Sequence, residues 1–551
     1  MYFTQKSIAD DPEAFPVFNR EELRLLLDAG SACNFKEGEF LVEAGERNYD
    51  CYFIINGQVK VIDVSTEEAK EVLTHNPGHF VGDLDLLTGR PAVVNLVAAK
   101  DVETACIRSA DIRDLLVRHP QIGDRLVRAF LHRREQLTVT EFEGISVYGH
   151  KDCNKTLAIQ EFFYRNGVPH TWKNIEDDEI ADRLRGLGVS ESNTPILFYG
   201  KRELFRQPSL GQLAKHIGIQ RETTGAVYDT VIIGCGPSGL GAAVYASSEG
   251  LRTLIVDRIG PGGQAGSSSK IENYAGFPAG LSGRELAMRS YLQALKFGAE
   301  FVAPCSVQSF ERASDGLYAV TLCTGERIAT KTIVVSTGIS YRSLRVDGMA
   351  SLQGTGVFYN ATQVEAILCK NRPVHVIGAG NSAGQAAMYL SDFCFEVNLL
   401  IRGSDIAKSM SSYLWARVLK NPKIKVRYQS EMTTVEGDQT IEAVRVLDKA
   451  RGLESREVTA GVFIFIGGVP GTDFLPADIA RDERGFVLAG AQVAQHPGWK
   501  EDRLPCALET SWPGVFVSGD CRSGTTKRVA FAIGDGALAV TCIHDYLGTY
   551  S

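Results

Sequence analysis

Residues 228–257 begin Tyr-Asp-Thr-Val-Ile-Ile-Gly-Cys-Gly-Pro-Ser-Gly and end Arg-Thr-Leu-Ile-Val-Asp. The apolar start predicts a strand, which leads into a glycine turn and then a helix. Within the turn, Gly234 allows the tight bend, Gly236 lets a diphosphate approach the backbone, and Gly239 lets helix and strand pack closely. A second strand ends on Asp257, which is placed to accept hydrogen bonds from a ribose. The stretch therefore predicts a dinucleotide-binding βαβ unit.

A second glycine turn follows further along the chain. The predicted strand Pro373-Val-His-Val-Ile377 leads into Gly378-x-Gly380-x-x-Ala383, which again opens a helix. The next predicted strand ends at Arg402 rather than at an acid, and an arginine there suits the 2′-phosphate of NADP. Two dinucleotide sites in one chain predict a flavoprotein that receives hydride from a nicotinamide.

Composition and charge exclude several classes of protein. The 551 residues, 44% hydrophobic and 23% charged, predict a globular protein of about three or four domains. The net charge of −8 argues against nucleic acid or an anionic membrane as the main partner. No apolar run is long enough to span a bilayer, and the first residues lack the features of a secretory signal. The 12 cysteines are scattered without a CxxC pair, so we expect a cytoplasmic protein and no metal site.

The first 143 residues are predicted to be rich in β-structure. Short apolar runs predict strands at Glu39–Val42, Tyr52–Ile55, Gln58–Ile62, Val93–Ala98 and Thr104–Ile107. A helical stretch from Ile112 to about Val139 closes the segment. Many short strands followed by a helix predict a small barrel or jelly roll.

Three stretches of this segment resemble the cyclic-nucleotide-binding domain family. They are Phe35-Lys-Glu-Gly-Glu39, Tyr52-Phe-Ile-Ile-Asn-Gly-Gln-Val59 and Phe80-Val-Gly-Asp-Leu-Asp-Leu-Leu-Thr-Gly-Arg-Pro-Ala92. In that family a cassette glutamate binds the ribose and a cassette arginine binds the cyclic phosphate. Here Asp83 stands in place of the glutamate, Ala92 stands in place of the arginine, and Asp85 adds a negative charge.

The resemblance implies an effector pocket that includes Gly82, Asp83 and Arg90. Arg90 stands two residues before the family's arginine and would have to point differently to reach a phosphate. One interpretation is a sensor of a nucleotide or another small molecule. The other is a fold kept for regulation or assembly, with an empty or altered pocket.

Residues 144–219 alternate between strands and helices. Strands are predicted at Ile145–Tyr148, His170–Ile175 and Thr194–Tyr199, and helices at Leu157–Asn166, Asp178–Gly186 and Ser209–Ile217. This order predicts an α/β sheet domain.

The same segment resembles the glutaredoxin and thioredoxin fold, in which a CxxC motif opens the first helix and faces a cis proline. Cys153-Asn-Lys-Thr156 stands at the first of these positions and Thr194-Pro195 at the second. Only the first cysteine remains, which makes Cys153 the candidate catalytic residue. A single thiol forms mixed disulfides but cannot close its own ring. The alternative is a spacer domain with an incidental cysteine.

From Tyr228 onward the chain resembles the thioredoxin reductase family of flavoproteins. Besides the glycine turns, the motifs that carry the resemblance are Gly262-Gly-Gln264, Ile271-Glu-Asn-Tyr-Ala-Gly-Phe-Pro278, Ser336-Thr-Gly338, Thr510-Ser-Trp-Pro-Gly-Val-Phe-Val-Ser-Gly-Asp520 and Lys527-Arg-Val-Ala530. The resemblance implies FAD and NADPH as cofactors and a homodimer. In the family the aspartate holds the ribityl chain, and the helix opened by the last motif stabilises reduced flavin.

The resemblance also implies a set of binding residues. Those expected to bind FAD are Gly234, Gly236, Pro237, Ser238, Gly239, Asp257, Gly263, Gln264, Asn273, Thr337, Gly338, Gly519, Asp520, Arg528, Val529 and Ala530. Those expected to bind NADPH are Gly378, Gly380, Asn381, Ser382, Ala383 and Arg402.

The predicted layout is a multidomain α/β chain. Its parts are a cyclic-nucleotide-binding-like β jelly roll at 1–143, a thioredoxin-like α/β domain at 144–219, and two Rossmann-like three-layer domains, the FAD domain at 226–343 and 470–551 and the inserted NAD(P)H domain at 344–469. Arg342–Asp347 and Gly467–Gly471 are the expected connecting strands. The resemblance implies that the nicotinamide domain rotates against the flavin domain during turnover.

The chain departs from its family at the redox disulfide. The family's Cys-Ala-Thr-Cys is replaced by Asn360-Ala-Thr-Gln363, and neither amide carries electrons. The usual route from flavin through that disulfide to thioredoxin is therefore broken. Cys369 and Cys521 do not restore it on sequence grounds, because isolated cysteines among apolar residues usually belong to a core.

The leading interpretation is an FAD-dependent NADPH oxidoreductase of the thioredoxin reductase type. Its acceptor would be Cys153, a thiol or disulfide on a thioredoxin-like or other redox protein, or a ferredoxin-like or quinone-like acceptor that meets the flavin directly. One alternative is a ferredoxin- or flavodoxin-type NADP reductase, and another is a flavin-containing redox or nucleotide sensor with little turnover. Thioredoxin reduction through cysteines placed elsewhere is a further possibility.

Overall fold

The computed structural model describes residues 11–549 apart from 65–68, 140–143, 151–152, 187–188, 200–201, 220–224, 269, 315, 342–343, 345, 350–351, 353–355, 360, 362 and 439. The chain divides into two units. The first holds Met1–His150, Ala158–Gly225 and Tyr291–Cys305, and the second holds Lys151–Leu157, Ala226–Ser290 and Ser306–Ser551. Across the described part of the chain, no helix is both long and apolar enough to cross a membrane.

Residues 20–139 form a β-sandwich with flanking helices. Its strands are β1 (Ser31–Phe35), β2 (Phe40–Val42), β3 (Cys51–Asn56), β4 (Val59–Asp63), β5 (Lys70–His75), β6 (Phe80–Val81), β7 (Asn95–Ala98) and β8 (Val102–Ile107), and its helices are α1 (Arg20–Ala29), α2 (Asp85–Thr88), α3 (Ile112–Arg118) and α4 (Pro120–Val139). The strands pair antiparallel in two sheets, ordered β1-β8-β3-β6 and β2-β7-β4-β5. Phe53, Phe80 and Phe130 are fully buried. The two sheets confirm the predicted jelly roll.

The helical stretch predicted from Ile112 to Val139 is two helices rather than one. The residue between α3 and α4, His119, has φ −121° and ψ 71°, outside the helical region. Proline lacks an N–H, and its ring disfavours a helical conformation in the residue before it. Pro120 therefore divides the predicted helical stretch into two helices, and the stretch itself is confirmed.

A further sheet of the first unit lies within residues 144–219. The elements of this segment are β9 (Ile145–Gly149), α5 (Asn154–Arg165), β10 (His170–Asn174), α6 (Asp178–Gly186), β11 (Ile196–Tyr199), β12 (Arg202–Arg206) and α7 (Leu210–His216). The order is β10-β9-β11-β12, with β10 parallel to β9 and β11 antiparallel to both of its neighbours. The alternation confirms the predicted α/β sheet. Strand β12 was not predicted, because its Arg-Glu-Leu-Phe-Arg sequence belongs to a largely exposed edge strand without an apolar run.

The second unit contains a sheet with strands from residues 228–256 and 307–335, and residues 291–305 of the same stretch belong to the first unit. The elements of this stretch and its continuation are β13 (Tyr228–Ile233), α8 (Pro237–Ser248), β14 (Thr253–Val256), α9 (Gly283–Lys296), β15 (Glu300–Val302), β16 (Val307–Arg312), β17 (Tyr318–Leu322), β18 (Arg327–Val335) and β19 (Ile339–Tyr341). β13 runs parallel to both β14 and β18, while β17 pairs antiparallel with β16 and β18. The predicted strand–turn–helix–strand order of residues 228–257 is confirmed.

Residues 357–464 form their own parallel sheet in the same unit. The elements are β20 (Val357–Phe358), α10 (Gln363–Leu368), β21 (Pro373–Ile377), α11 (Asn381–Phe393), β22 (Glu396–Ile401), α12 (Ser412–Lys420), β23 (Ile424–Tyr428), β24 (Ser430–Glu436), β25 (Ala443–Asp448), β26 (Leu453–Val458) and β27 (Val462–Ile464). The parallel order is β20-β27-β21-β22-β23, and β24, β25 and β26 form a separate antiparallel sheet. The strand predicted at Pro373–Ile377 is confirmed.

The last part of the chain returns to the sheet of residues 228–335. It contributes β28 (Gly468–Pro470), β29 (Val515–Val517) and α13 (Val529–Thr549). β29 pairs parallel with β18, and β28 pairs antiparallel with β19. The first connecting strand was predicted at Arg342–Asp347, but β19 lies earlier, because Ile339 pairs with Pro470 and Asp347 bridges Thr434 instead. Residues 342, 343 and 345 lie outside the described residues.

Helices α8 and α13 approach each other through glycine. A Cβ added at Gly536 of α13 would lie 2.1 Å from the backbone oxygen of Ser238, and one at Gly241 of α8 would lie 2.8 Å from that of Ile533. Real Cβ atoms do not come this close to a carbonyl oxygen, so only glycine permits the approach. Because α8 begins at the first glycine turn, this contact holds α13 against that turn.

We expect Gly536→Ala to destabilise the protein by about 1–3 kcal/mol, because an added methyl group must push two helix backbones apart. Gly534→Ala is the matched control, since a Cβ at Gly534 of the same helix would meet nothing within 4 Å. Thermal unfolding of both variants against the wild type checks the difference. Equal stability of the two variants would contradict the close helix contact.

Candidate dinucleotide-binding sites

Four parallel strands of the second unit end at the same level of one sheet. Ile233 of β13 is aligned with Val256 of β14 and with Val335 of β18, and Val335 is aligned with Val517 of β29. The residues that follow these four positions are Gly234, Asp257, Ser336 and Ser518. The register therefore brings four separate sequence motifs to one edge of the sheet, where α/β proteins bind nucleotides.

The first turn at this edge is tight. Gly234 has φ +107°, and a Cβ there would lie 2.5 Å from the backbone oxygen of Ser336. A Cβ at Gly239 would lie 1.9 Å from the backbone oxygen of Gly234. The hydroxyl of Ser336 donates to the backbone oxygens of Ile233 and Gly234 at 3.1 and 3.0 Å. Backbone oxygens of the protein therefore leave room only for glycine at positions 234 and 239.

Gly236 differs from these two glycines because the space beside it is open. A Cβ there would meet only the Cα of Gly263, at 3.7 Å, and Gly236 caps α8 without any side-chain hydrogen bond to the first turn. The N-terminus of α8 therefore presents backbone N–H groups, with a positive dipole end, beside an open cradle. This arrangement fits the diphosphate of a dinucleotide.

Asp257 follows the second strand, as predicted, and its carboxylate is held by backbone groups. One oxygen accepts from the N–H of Cys235 at 2.8 Å, and the other accepts from Ile259 and Gly260 at 2.9 Å each. A carboxylate has about four acceptor positions, so one remains for a ribose hydroxyl. The bonds fix the orientation of the carboxylate at the turn.

The motif after β29 packs directly on the start of α8. The hydroxyl of Ser238 donates to that of Ser518 at 2.7 Å, and the backbone N–H of Gly519 donates to Asp535 of α13 at 3.1 Å. Burial raises the pKa of Asp520, which the charge of Lys527 opposes. α13 begins at Val529, so the predicted helix start in the motif Lys527–Ala530 is confirmed.

The remaining predicted FAD residues lie around these elements. Thr337 and Gly338 are half-buried directly after β18. Gln264 donates its side-chain amide to the backbone oxygen of Ile339 at 3.2 Å. Asn273 is exposed in the loop between Ile271 and Leu281.

The second glycine turn repeats the construction at the end of β21. Gly378 has φ +145°, and a Cβ there would lie 2.3 Å from the backbone oxygen of Phe465. Gly380 again stands beside open space, with its nearest neighbour at 4.0 Å, and caps α11 without a side-chain hydrogen bond. Asn381 accepts from the backbone N–H of Ser411 at 2.7 Å. This turn also fits a diphosphate.

Arg402 follows the end of β22 and is exposed, so its guanidinium is available to a phosphate. Ser382 is exposed in the first turn of α11, and Ala383 is fully buried. Asp405 caps the short helix Ile406–Lys408 by accepting from the backbone N–H of Ala407 at 2.8 Å. The acid near Arg402 therefore has a local structural role.

A cavity of about 630 Å³ lies away from both turns, at the amino ends of β21 and β22. Its lining includes His375, Arg427 and Glu457, and His375 contacts Glu457 at 2.9 Å. Burial raises the pKa of Glu457, but bonds from His375, Arg427 and Ser455 outweigh it and lower the pKa to about 2. The charges here are paired with each other, and the motifs for dinucleotides lie at the opposite ends of the strands.

Two open glycine cradles, each followed by a residue for a ribose or a 2′-phosphate, define the class of the protein. It is an oxidoreductase that uses FAD and a nicotinamide cofactor.

Comparison with known proteins gives the family. The profile described as pyridine nucleotide-disulphide oxidoreductase matches residues 228–536, and the chain belongs to this family. The profile of the cyclic nucleotide-binding domain matches residues 32–119.

Relatives and solved structures agree with this assignment. The chain is 32% identical over 323 residues to the thioredoxin reductase of Treponema pallidum, covering 58% of this chain and 98% of that protein. It is 30% identical over 323 residues to the thioredoxin reductase of Bacillus subtilis, covering 58% and 95%. The thioredoxin reductase structures of Lactococcus lactis and T. acidophilum each match with 28% identity and a TM-score of 0.52, covering 58% and 59% of this chain and 99% of each of theirs. The predicted oxidoreductase class, its FAD and NADPH cofactors and the cyclic-nucleotide-binding-like domain are confirmed.

The cysteines near the flavin motifs are buried thiols. Cys521 is fully buried, and burial raises its pKa to about 11. Cys369 is also fully buried, and burial raises its pKa to about 12. Since thiolates are the reactive form, neither residue is suited to disulfide exchange. Of the two positions that replace the family's cysteines, Asn360 lies outside the described residues, and Gln363 begins α10.

The candidate catalytic Cys153 lies directly before α5 and is half-buried. Thr156, which replaces the second cysteine of the motif, is fully buried. The Thr194–Pro195 peptide bond is cis, as the resemblance implied.

Sequence reasoning missed a disulfide between Cys506 and Cys542, whose Cα atoms are 5.7 Å apart. Cys506 is half-buried in the loop before β29, and Cys542 is buried on α13. Thirty-six residues separate them. The motifs between them indicate a flavin site and carry no information on which cysteines pair, so no sequence signal predicted this disulfide.

The residues of the predicted effector pocket lie in the turn between β6 and β7. Gly82 has φ +139°. Asp83, in place of the family's glutamate, accepts from the hydroxyl of Tyr49 at 2.7 Å and from the backbone N–H of Asp85 at 2.9 Å. Arg90 is buried, with 5% of its surface exposed.

We expect Gly236→Ala to leave the folding free energy within about 0.5 kcal/mol of the wild type, because the added methyl group has room. We expect the same change to weaken FAD binding by at least about tenfold, because the methyl group occupies the diphosphate cradle. Flavin absorbance per protein and thermal unfolding of the apoprotein measure the two effects. Gly211→Ala, whose Cβ would also meet nothing within 4 Å, is the control. Full FAD content in Gly236→Ala would place the diphosphate elsewhere.

We expect Arg402→Ala to raise KM for NADPH by about tenfold or more, because a charge-assisted hydrogen bond contributes about 1.5–3 kcal/mol. KM for NADH, which lacks the 2′-phosphate, should change little. Lys420→Ala, an exposed cation at the end of α12, is the control. An equal rise for both nucleotides would show that Arg402 does not bind the 2′-phosphate.

Proposed function

We propose that this chain catalyses NADPH oxidation through FAD and passes the electrons to an acceptor without the CxxC disulfide of its relatives. The observation that carries the proposal is the shared register of four parallel strands, which assembles the FAD motifs at one sheet edge. A second parallel sheet in the same unit ends at its own open glycine turn with Arg402 beyond it. The chain thus keeps both halves of the NADPH-to-FAD reaction.

Each part of the proposed site has a physical role. When bound, FAD supplies the two-electron acceptor for hydride and later releases those electrons. The N-termini of α8 and α11 balance the charge of two diphosphates, and Asp257 and Arg402 select a ribose and a 2′-phosphate. The first turn of α13, at Val529 and Ala530, offers unpaired N–H groups and a positive dipole end. We propose that this end stabilises negative charge on the reduced cofactor.

The electron acceptor is the finer part of the proposal. The relatives are named thioredoxin reductases, which makes a thioredoxin-like protein one candidate acceptor. Asn360 and Gln363 stand where their cysteines would be, and Cys369 and Cys521 are buried thiols with raised pKa values. We therefore favour an acceptor that receives electrons from the flavin directly. A mixed disulfide between Cys153 and a partner thiol is the competing candidate, because its S–S bond accepts two electrons and releases both thiols, and Cys153 is half-buried directly before α5.

A ferredoxin- or flavodoxin-type NADP reductase remains the nearest alternative, because such an enzyme also needs no CxxC. A flavin-containing sensor with little turnover is the other alternative, and the cyclic-nucleotide-binding-like domain favours it. In the NADP reductase NADPH would reduce the flavin rapidly, and in the sensor it would not.

An anaerobic NADPH titration followed by flavin absorbance tests the proposal. We expect bleaching to be complete at about one equivalent of NADPH per flavin, because Asn360 and Gln363 replace the cysteines of the family's redox disulfide. About two equivalents would overturn direct transfer and point to a disulfide in electronic contact. No bleaching would favour the sensor.

If the flavin titration consumes a second equivalent of NADPH, two variants identify the cysteine that is reduced by it. Cys506→Ser removes the disulfide to Cys542, and Cys153→Ser removes the thiol before α5, which stores an electron pair only when it is held in a mixed disulfide. The variant that returns the titration to one equivalent identifies the group that stores the second electron pair. Cys323→Ser, a change at an exposed cysteine that is not disulfide-bonded, is the control for loss of a thiol as such.

A further inference from the structure

The turn that would hold a cyclic phosphate contacts the α/β segment of the same unit. Arg90 follows Gly89, whose left-handed backbone ends α2. Nη1 of Arg90 donates to the backbone oxygen of Asn166, directly after α5, at 2.7 Å. Arg90 is 5% exposed and Asn166 is 1% exposed, so water does not compete for this bond. A buried guanidinium is costly without partners, and a charge-assisted bond to a carbonyl is among the stronger hydrogen bonds.

Neighbouring residues of the turn make similar contacts. The hydroxyl of Tyr199, at the end of β11, donates to the backbone oxygen of Val93 at 2.9 Å. Burial, and then the charge of Asp63, raise the pKa of Tyr199 to about 12. A Cβ at Gly218, beyond α7, would lie 2.9 Å from Cδ of Pro91. Positions 90, 91 and 93 therefore contact three separate elements of the α/β segment.

A second contact lies beside the turn. Nη2 of Arg47 donates to the backbone oxygen of Lys215 on α7 at 3.4 Å. Gly218 also packs here, since a Cβ on it would lie 3.1 Å from Nη1 of Arg47. This contact is exposed, so we expect the buried bond of Arg90 to contribute more to holding the surfaces together.

The charges at the turn oppose a phosphate. The carboxylate of Asp83 already accepts from Tyr49 and from the backbone of Asp85. Asp85 is 2% exposed and accepts from the hydroxyl of Thr88 at 3.2 Å. Two carboxylates thus stand where the family presents one, and the family's arginine is replaced by the buried Ala92. A phosphate would be repelled at short range by these charges.

A third arginine close to the turn, besides Arg90 and Arg47, donates its hydrogen bonds to backbone carbonyl groups. Arg133 of α4 donates to the backbone oxygens of Ala14, Gly82 and Phe80 at 2.8, 2.7 and 3.2 Å. Its guanidinium also lies 4.0 Å from the ring centroid of Phe80. Arg133 therefore supports the backbone of the turn and does not replace the missing phosphate ligand.

We propose that residues 89–93 of the jelly roll are a docking surface for the α/β segment 158–219 of the same chain, anchored by Arg90. The surface that binds a cyclic phosphate in the related domains binds a carbonyl of the neighbouring segment here. Cyclic nucleotides are accordingly not ligands of this turn.

Hydrogen exchange of the full-length protein tests the contact. We expect Arg90→Ala to speed exchange of backbone amides in residues 89–93 and 162–168 by about tenfold, because local opening loses its anchor. Arg118→Ala, whose side chain is 75% exposed and pairs with Asp114 on its own helix, is the matched control. Tyr199→Phe removes only the hydroxyl bond to Val93, so it tests the same surface if Arg90→Ala does not fold. Exchange in both variants that equals the control would overturn the docking surface.

Calorimetry with the wild type tests the ligand. We expect no binding heat for cAMP or cGMP at concentrations up to about 1 mM. Micromolar binding of either nucleotide would overturn the proposal. Hydrogen exchange and calorimetry do not depend on the flavin reaction, so both can be interpreted even if the proposed function is wrong.

Discussion

The contact between α8 and α13 is the constraint on which the flavin half of the molecule depends. The two helix backbones meet at Gly536 and Gly241, where a side chain would collide with a carbonyl oxygen. The start of α8 is in turn held by the bond from Ser238 to Ser518. One contact thus positions the first glycine turn, the last motif and the N-terminus of the last helix together. The strand register then supplies the remaining motifs at the same edge.

Much of this site was predictable because its signals are local. Gly234 and Gly239 indicate a turn whose geometry excludes other residues, Gly236 indicates an open cradle beside it, and the neighbouring apolar runs indicate strands. The register that brings Val517 beside Val335 was implied only by resemblance, since the two residues are 182 positions apart in the chain and local pattern carries no pairing information. The same reason explains why the disulfide between Cys506 and Cys542 was missed.

In the first unit, the misses have other physical causes. The helical stretch from Ile112 to Val139 was predicted, whereas the break within it at His119 was not, although Pro120 disfavours a helical conformation in the residue before it. Strand β12 is an exposed edge strand, and edge strands lack the apolar alternation that marks half-buried ones. The missing cassette arginine was readable at Ala92, whereas the bond of Arg90 to Asn166 depends on a partner 76 residues away. The loss of a ligand group can be predicted from the sequence, whereas the contact that replaces it depends on distant residues and is harder to predict.

The position of β29 has a consequence for biosynthesis. The strands of residues 228–335 leave the ribosome early, and β13 is already available as a parallel neighbour of β18. Residues 333–335 of β18 receive their second parallel neighbour, β29, only when residues 515–517 have been made. The sheet of residues 357–464 contains all of its own strands and can form in the interval. Until then the end of β18 has one unpaired edge at residues 333–335, and unpaired strand edges promote aggregation in nascent chains. We therefore expect FAD to bind only after β29 has been made, and chaperone demand to be greatest while the inserted sheet is being synthesised.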